Sequence, residues 1–116
     1  MLKSQMLKGI LEGCILKLIE KETLYGYDII VRLKEFNLSM VSEGSIYPLL
    51  HKLQKAGYIT GRRVKSAEGP MRKYYKITDE GKNYLDEFQL HWRELDGAVN
   101  QIFEEEYDDN PAQKRI

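Results

Sequence analysis

Residues Ser42 to Gly57 read Ser-Glu-Gly-Ser-Ile-Tyr-Pro-Leu-Leu-His-Lys-Leu-Gln-Lys-Ala-Gly. Ile46, Leu49, Leu50 and Leu53 fall at the i, i+3, i+4, i+7 spacing of an apolar helical stripe. At ~100° per residue, Gly44, Ser45, Pro48, His51, Lys52 and Lys55 lie on the opposite side and Tyr47 on the flank. Ser42 is placed to cap this helix, and Gly57 suits the left-handed position after its end. Pro48 removes an amide donor within the first two turns, which predicts a distorted start unless the freed carbonyl meets solvent. The outward face is cationic, and small near its beginning. Such a surface can approach a groove closely, and an ordinary solvated helix presents the same pattern.

Upstream, Leu7, Ile10, Leu11, Cys14, Ile15 and Leu18 predict a first helix from about Gln5 to Glu20. Residues 20–25 read as a break. Ile29, Leu33 and Phe36, with Ile30 beside them, predict a shorter second helix from Gly26 to Phe36, ending before the turn region Asn37-Leu38-Ser39. Downstream, Ile59–Lys65 and Arg72–Thr78 are rich in Ile, Val, Thr and Tyr and flank Ser66-Ala67-Glu68-Gly69-Pro70, which predicts a hairpin. Its strands carry Arg62, Arg63, Lys65, Arg72, Lys73 and Lys76, so its exposed edge is basic. Edge-strand lysines also serve simply to block aggregation.

Thr78 is placed to cap a last helix, with Asp79 and Glu80 in its first turn, running to about Glu106. Leu85, Phe88, Trp92, Leu95, Val99 and Ile102 follow the steps 3, 4, 3, 4, 3 of a coiled-coil or antiparallel seam. A core of this size does not cover a rod ~42 Å long, so a second copy of the chain is the simplest partner for it. Residues 1–78 thus read as one globular unit, 79–107 as a dimerisation helix and 108–116 as a frayed tail.

With 116 residues the chain has room for one core and an appendage. Lys+Arg and Asp+Glu each number 18, a neutral balance that by itself argues against nucleic acid. The distribution says otherwise: residues 51–82 carry nine cations and three anions, and residues 83–116 carry three cations and nine anions. One surface is therefore suited to an anion while the tail points away from it. The longest uncharged run, Gly44 to His51, is eight residues, too short to span a membrane. A single cysteine, Cys14, among apolar neighbours predicts a buried, reduced thiol and a cytoplasmic setting. Cys14, His51 and His91 have neither metal-ligand spacing nor the arrangement of a nucleophile with its base, so neither an enzyme nor a cofactor is expected.

Helix, helix, helix, strand, turn, strand is the order of a winged helix-turn-helix, a mainly α (α+β) fold. Four segments make the likeness specific: Lys8-Gly-Ile-Leu-Glu12, Leu24-Tyr-Gly-Tyr-Asp-Ile29, Ser42 to Leu53, and Gly69-Pro-Met-Arg-Lys-Tyr-Tyr-Lys-Ile-Thr78 with Gly81. Together, over about residues 5–103, they resemble the PadR family of bacterial transcriptional regulators, in its smaller subgroup with one C-terminal helix. The resemblance implies a recognition helix from Ser42 to Lys55, with Ser45, Tyr47 and Lys52 facing DNA, a wing containing Arg72 and Lys73, and dimerisation through residues 79–106. Ser45 stands where the family usually has Thr, Lys52 where Arg is common, and Met71 where Pro or Arg is frequent. Lysine at 52 loses the planar fork used for guanine and keeps a phosphate contact.

The expected function is a homodimeric repressor of double-stranded DNA that reads an inverted repeat, with phosphate contacts from Tyr25, Lys55, Lys65, Arg72 and Lys73. Drug-sensing members of the family use an aromatic-lined dimer cavity, which implies a small hydrophobic or aromatic effector held by Met6, Phe88 and Trp92. The plainer expectation is that Trp92 packs on the first helix. A protein-interaction adaptor working through the seam is the alternative to DNA binding.

Overall fold

The computed structural model describes residues 2–67 and 69–104. Along the chain run α1 (Leu2–Leu7), α2 (Leu11–Lys21), β1 (Leu24–Tyr25), α3 (Gly26–Glu35), α4 (Glu43–Lys55), β2 (Ile59–Lys65), β3 (Met71–Ile77) and α5 (Asp79–Glu104). Helices α2, α3 and α4 supply most of a core containing Ile15, Leu16, Ile29, Leu33, Ile46, Leu50 and Leu53, all buried, which Ile59 and Leu85 close from β2 and α5. The fold is the expected winged helix-turn-helix with a long C-terminal helix.

Two local expectations are corrected. The single first helix is two, because the chain turns at Lys8–Ile10: Lys8 N–H donates to the Gln5 carbonyl and Ile10 N–H to the Leu7 carbonyl, both three residues back. Leu7 and Leu11 stay buried on either side of this break, so the apolar spacing survives a broken backbone. The break at residues 20–25 contains a strand. Leu24 pairs with Tyr75 and Tyr25 with Tyr74, giving an antiparallel sheet of order β1-β3-β2. A two-residue strand has no periodicity to read and exists only through its partner.

The turns after α3 and α4 share one geometry. Asn37 (φ 64°) and Gly57 (φ 87°) occupy the left-handed position, and Leu38 and Tyr58 donate to the carbonyls of Leu33 and Leu53, five residues back. Pro48 lies within α4 without ending it. Gly44, whose carbonyl loses its donor there, is exposed, so solvent replaces the missing bond.

Thr78 joins the two halves of the fold. Its Oγ1 donates to the Gly57 carbonyl at 2.6 Å and accepts from Gly81 N–H at 2.9 Å, capping α5 while tying it to the end of α4. Gly81 packs directly on the Tyr58 carbonyl, where a Cβ would sit 2.0 Å from the oxygen. Tyr58 and Tyr84 stack at 4.3 Å. Further along, the Phe88 ring covers Gly13 of α2. Leu85, expected to open the seam, is instead 1% exposed and belongs to this internal core. From Leu90 to Glu104 every residue of α5 is exposed. The helix end expected near Glu106 and the tail 108–116 lie outside the described residues. Among the described residues, no helix is long and apolar enough to cross a membrane.

Candidate nucleic-acid interface

Helix α4 is held by Ile46, Leu50 and Leu53, so its opposite face is presented to solvent. Ser42, Ser45, Tyr47, Lys52 and Lys55 are all exposed. Ser42 occupies the cap position through its backbone, its side chain making no capping bond. The Tyr47 ring lies on Gly26, whose missing side chain makes the contact possible: a Cβ there would stand 2.5 Å from the ring. Burial, then the Glu43 carboxylate, then Tyr25, raise the Tyr47 phenol above its usual range, so its hydroxyl remains a donor at neutral pH.

The neighbour of Gly26 carries the contact on to the wing. The Arg72 guanidinium sits over the Tyr25 ring, 4.7 Å from its centre, and Tyr25 meets Tyr74 at 5.4 Å. Asp28 accepts the Tyr25 amide at 3.4 Å and holds the start of α3. Tyr47, Tyr25 and Arg72 therefore form one continuous surface from α4 to β3, assembled from three elements. Stacking against the half-buried Tyr25 ring pre-orients the guanidinium, worth about 0.5–1 kcal/mol.

Lys73 points the other way, as alternation along a strand requires. Its stem crosses Gly61, where a Cβ would lie 2.3 Å from Lys73 Cε, and its ammonium stands 5.7 Å from the centre of the Tyr75 ring. His51, Gln54, Lys55 and Lys73 line a cleft of about 460 Å³ between α4 and the sheet. Lys65 is exposed at the end of β2, opposite Met71 in the ladder. The wing turn is closed by Ser66 N–H donating to the Pro70 carbonyl, with Gly69 in the left-handed region.

Among the described residues, Lys17 pairs with Glu20, Arg32 with Glu22 and Glu35, and Lys52 with Glu12. Lys55 and the hairpin cations Arg62, Arg63, Lys65, Arg72, Lys73 and Lys76 form no ion pair within that set, so α4 and the wing carry seven cations without a carboxylate partner among the described residues. Lys52 is the exception among the expected contacts: its Nζ is 2.9 Å from Glu12 Oε1, with side chains 71% and 22% exposed. The sequence puts His51 on the outward side of α4, facing solvent or phosphate, but does not single out Gln54 as a cleft wall or Tyr74 as part of the aromatic surface. Gly61 was the available signal, since a lone glycine within a strand marks close approach by another group.

The expected effector residues differ in exposure. Phe88 is half-buried on Gly13, whereas Met6 and Trp92 keep 70% and 42% of their surface. Leu95, Val99 and Ile102 are exposed on the same stretch of α5 as Trp92. Cys14 is half-buried, and burial pushes its thiol up, away from the reactive thiolate.

The fold recurs in known proteins. A PadR-like transcriptional regulator from Bacillus cereus superposes with a TM-score of 0.80 at 48% identity, covering 88% of this chain and 99% of that one. A PadR family regulator from Eggerthella lenta gives 0.80 at 26% identity, covering 90% and 91%. The negative transcriptional regulator PadR of Bacillus subtilis is 32% identical over 96 residues, which are 81% of this chain and 53% of that protein, so the chain spans about half of it. The model of the transcriptional regulator PadR-like family matches residues 15–87. With that match lying across α2 to the start of α5, the chain belongs to the PadR-like family, whose members are transcriptional regulators and not enzymes.

Proposed function

We propose that the protein is a homodimeric repressor whose two α4 helices enter successive major grooves of an inverted-repeat operator. One observation carries this reading: Tyr47, Gly26, Tyr25 and Arg72 join the outward face of α4 to the wing in one continuous surface. Residues 1–78 act as the DNA-binding unit and 79–107 as the dimerisation helix. Ser42, Ser45 and Tyr47 face the bases, while Tyr25, Lys55, Lys65, Arg72 and Lys73 hold phosphates. Lys52 joins them only by leaving Glu12.

Dimerisation is supported by the exposed side chains of Trp92, Leu95, Val99 and Ile102 on α5. Removing that apolar surface from water against a second copy favours pairing. A small hydrophobic or aromatic effector fits the same place. Trp92 with Phe88 and Met6 would line a slot between copies, and its occupation would alter the spacing of the two α4 helices.

Selection of bound duplexes from a random pool tests the whole reading, with an enriched inverted repeat as the expected result. Enrichment of no motif, together with binding to a protein partner that survives charge reversal at Lys52 and Arg72, would favour the adaptor instead.

A further inference from the structure

We infer that the cleft between α4 and the wing is a phosphate site, built from His51, Gln54, Lys55 and Lys73, in which one tetrahedral phosphate group per protomer is bound. The inference rests on the reading of this surface as a DNA interface and assigns to it a specific subsite.

Three observations converge on the cleft. Its lining combines Lys55, Lys73, the His51 imidazole and the Gln54 amide, with no carboxylate among the described residues. Lys73 is held there by shape. Gly61 lets its stem cross β2, and the Tyr75 ring lies beneath the ammonium at 5.7 Å, so the charge stays over the cleft instead of extending into solvent. His51 and Lys55 both belong to the outward side of α4, so an anion in the cleft meets both the helix and the wing. Two ammonium groups, an imidazole N–H and a carboxamide N–H suit the several acceptor oxygens of a phosphate.

The cleft volume of about 460 Å³ leaves room for a phosphate with its water. The chemistry is common to a backbone phosphodiester of duplex DNA and to a free phosphate. A diester bound there would be gripped from both sides where the backbone crosses between helix and wing, fixing the register of α4 without reading a base.

The test uses the full chain with histidine side chains isotope-labelled and followed by NMR, titrated separately with inorganic phosphate and with a short random-sequence duplex. His91, which faces Glu87 and Glu94 on α5, is the internal control. The His51 ring signals are expected to move saturably with either titrant while those of His91 stay fixed. Lys73→Ala should weaken the phosphate response about tenfold, the scale of one lost charge-assisted bond. Gly61→Ala, which displaces the Lys73 stem, should weaken it less. Arg62→Ala, on the opposite face of the sheet beside Tyr74, should leave it unchanged.

Duplex binding seen by anisotropy with His51 unmoved in both titrations would overturn the phosphate site and leave the DNA reading intact. A response to phosphate in a protein that binds no duplex would support the site as one for free phosphate and remove the DNA reading. Equal movement of His51 and His91, scaling only with ionic strength, would also overturn it.

Discussion

Lys52 Nζ lies 2.9 Å from Glu12 Oε1, so a cation on the outward face of α4 is held by a carboxylate from α2. The contact raises the Lys52 ammonium above its usual range, first through its bond to Glu12 and then through that carboxylate's charge. Glu12→Gln is expected to release Lys52 and remove a negative charge beside the interface. At roughly 10 Å in water that charge is worth about 0.4 kcal/mol, or about twofold in affinity for random-sequence duplex, measured by anisotropy. Weaker binding by the variant would show instead that Glu12 orients Lys52 productively.

Arg72 should contribute both charge and shape. If three or four phosphates per protomer are neutralised, log K should fall with log salt at a slope of roughly −5 to −7 for the dimer. Arg72→Ala should reduce that slope by about 1.8, two contacts at about 0.9 each. Arg72→Lys should preserve the slope and weaken binding by about 0.5–1 kcal/mol, because the stack on Tyr25 is lost while the charge remains. Identical slopes for wild type and Arg72→Ala would place the wing away from the backbone.

The exposed stretch of α5 predicts its own disruption. Leu95→Glu puts like charges into the interface between copies and is expected to give a monomer in sedimentation velocity, with the far-ultraviolet circular dichroism of the protomer kept. Inverted-repeat binding should fall with it, since one protomer covers one half-site. A Leu95→Glu dimer would move the interface elsewhere.

Gly81 predicts a stability effect with a built-in control. A Cβ there meets the Tyr58 carbonyl at 2.0 Å, and backbone does not move aside as a side chain does. Gly81→Ala should cost about 1–3 kcal/mol in chemical unfolding, the usual cost of overpacking. Gly9→Ala, with nothing within 4 Å of the added atom, should change stability little in the same measurement.

Alkaline pH should unfold the protein through its tyrosines. Burial is the first cause raising the phenols of Tyr47, Tyr75 and Tyr84 above 10.0. A raised phenol favours the neutral form in the fold, so this stability is complete below pH 10.0 and is lost as pH climbs through the folded-state value. Tyrosinate absorbance should rise with the loss of structure, and Tyr75→Phe should flatten the dependence. A stability profile unaffected by Tyr75→Phe would assign alkaline unfolding to other groups.

Much of this molecule was legible in one dimension because its main elements satisfy local rules. The stripe Ile46, Leu50, Leu53 faces the core as its spacing demands, Gly57 follows α4 in the left-handed region, and Thr78 caps α5. The turn at Lys8–Ile10 is hidden in the sequence because Leu7 and Leu11 keep helical spacing across it, and β1 because two residues carry no period.

What the sequence alone determined is the order of the elements, the outward face of α4 and the segregation of charge, each following from side-chain period and composition. Only the tertiary structure decided that Leu85 is core, that Lys52 is paired with Glu12, and that Lys73 crosses Gly61 toward His51 while its neighbour Arg72 covers Tyr25. Those outcomes depend on distances between residues far apart in the chain. Such distances are set by how helices and sheet pack together, which no local pattern encodes.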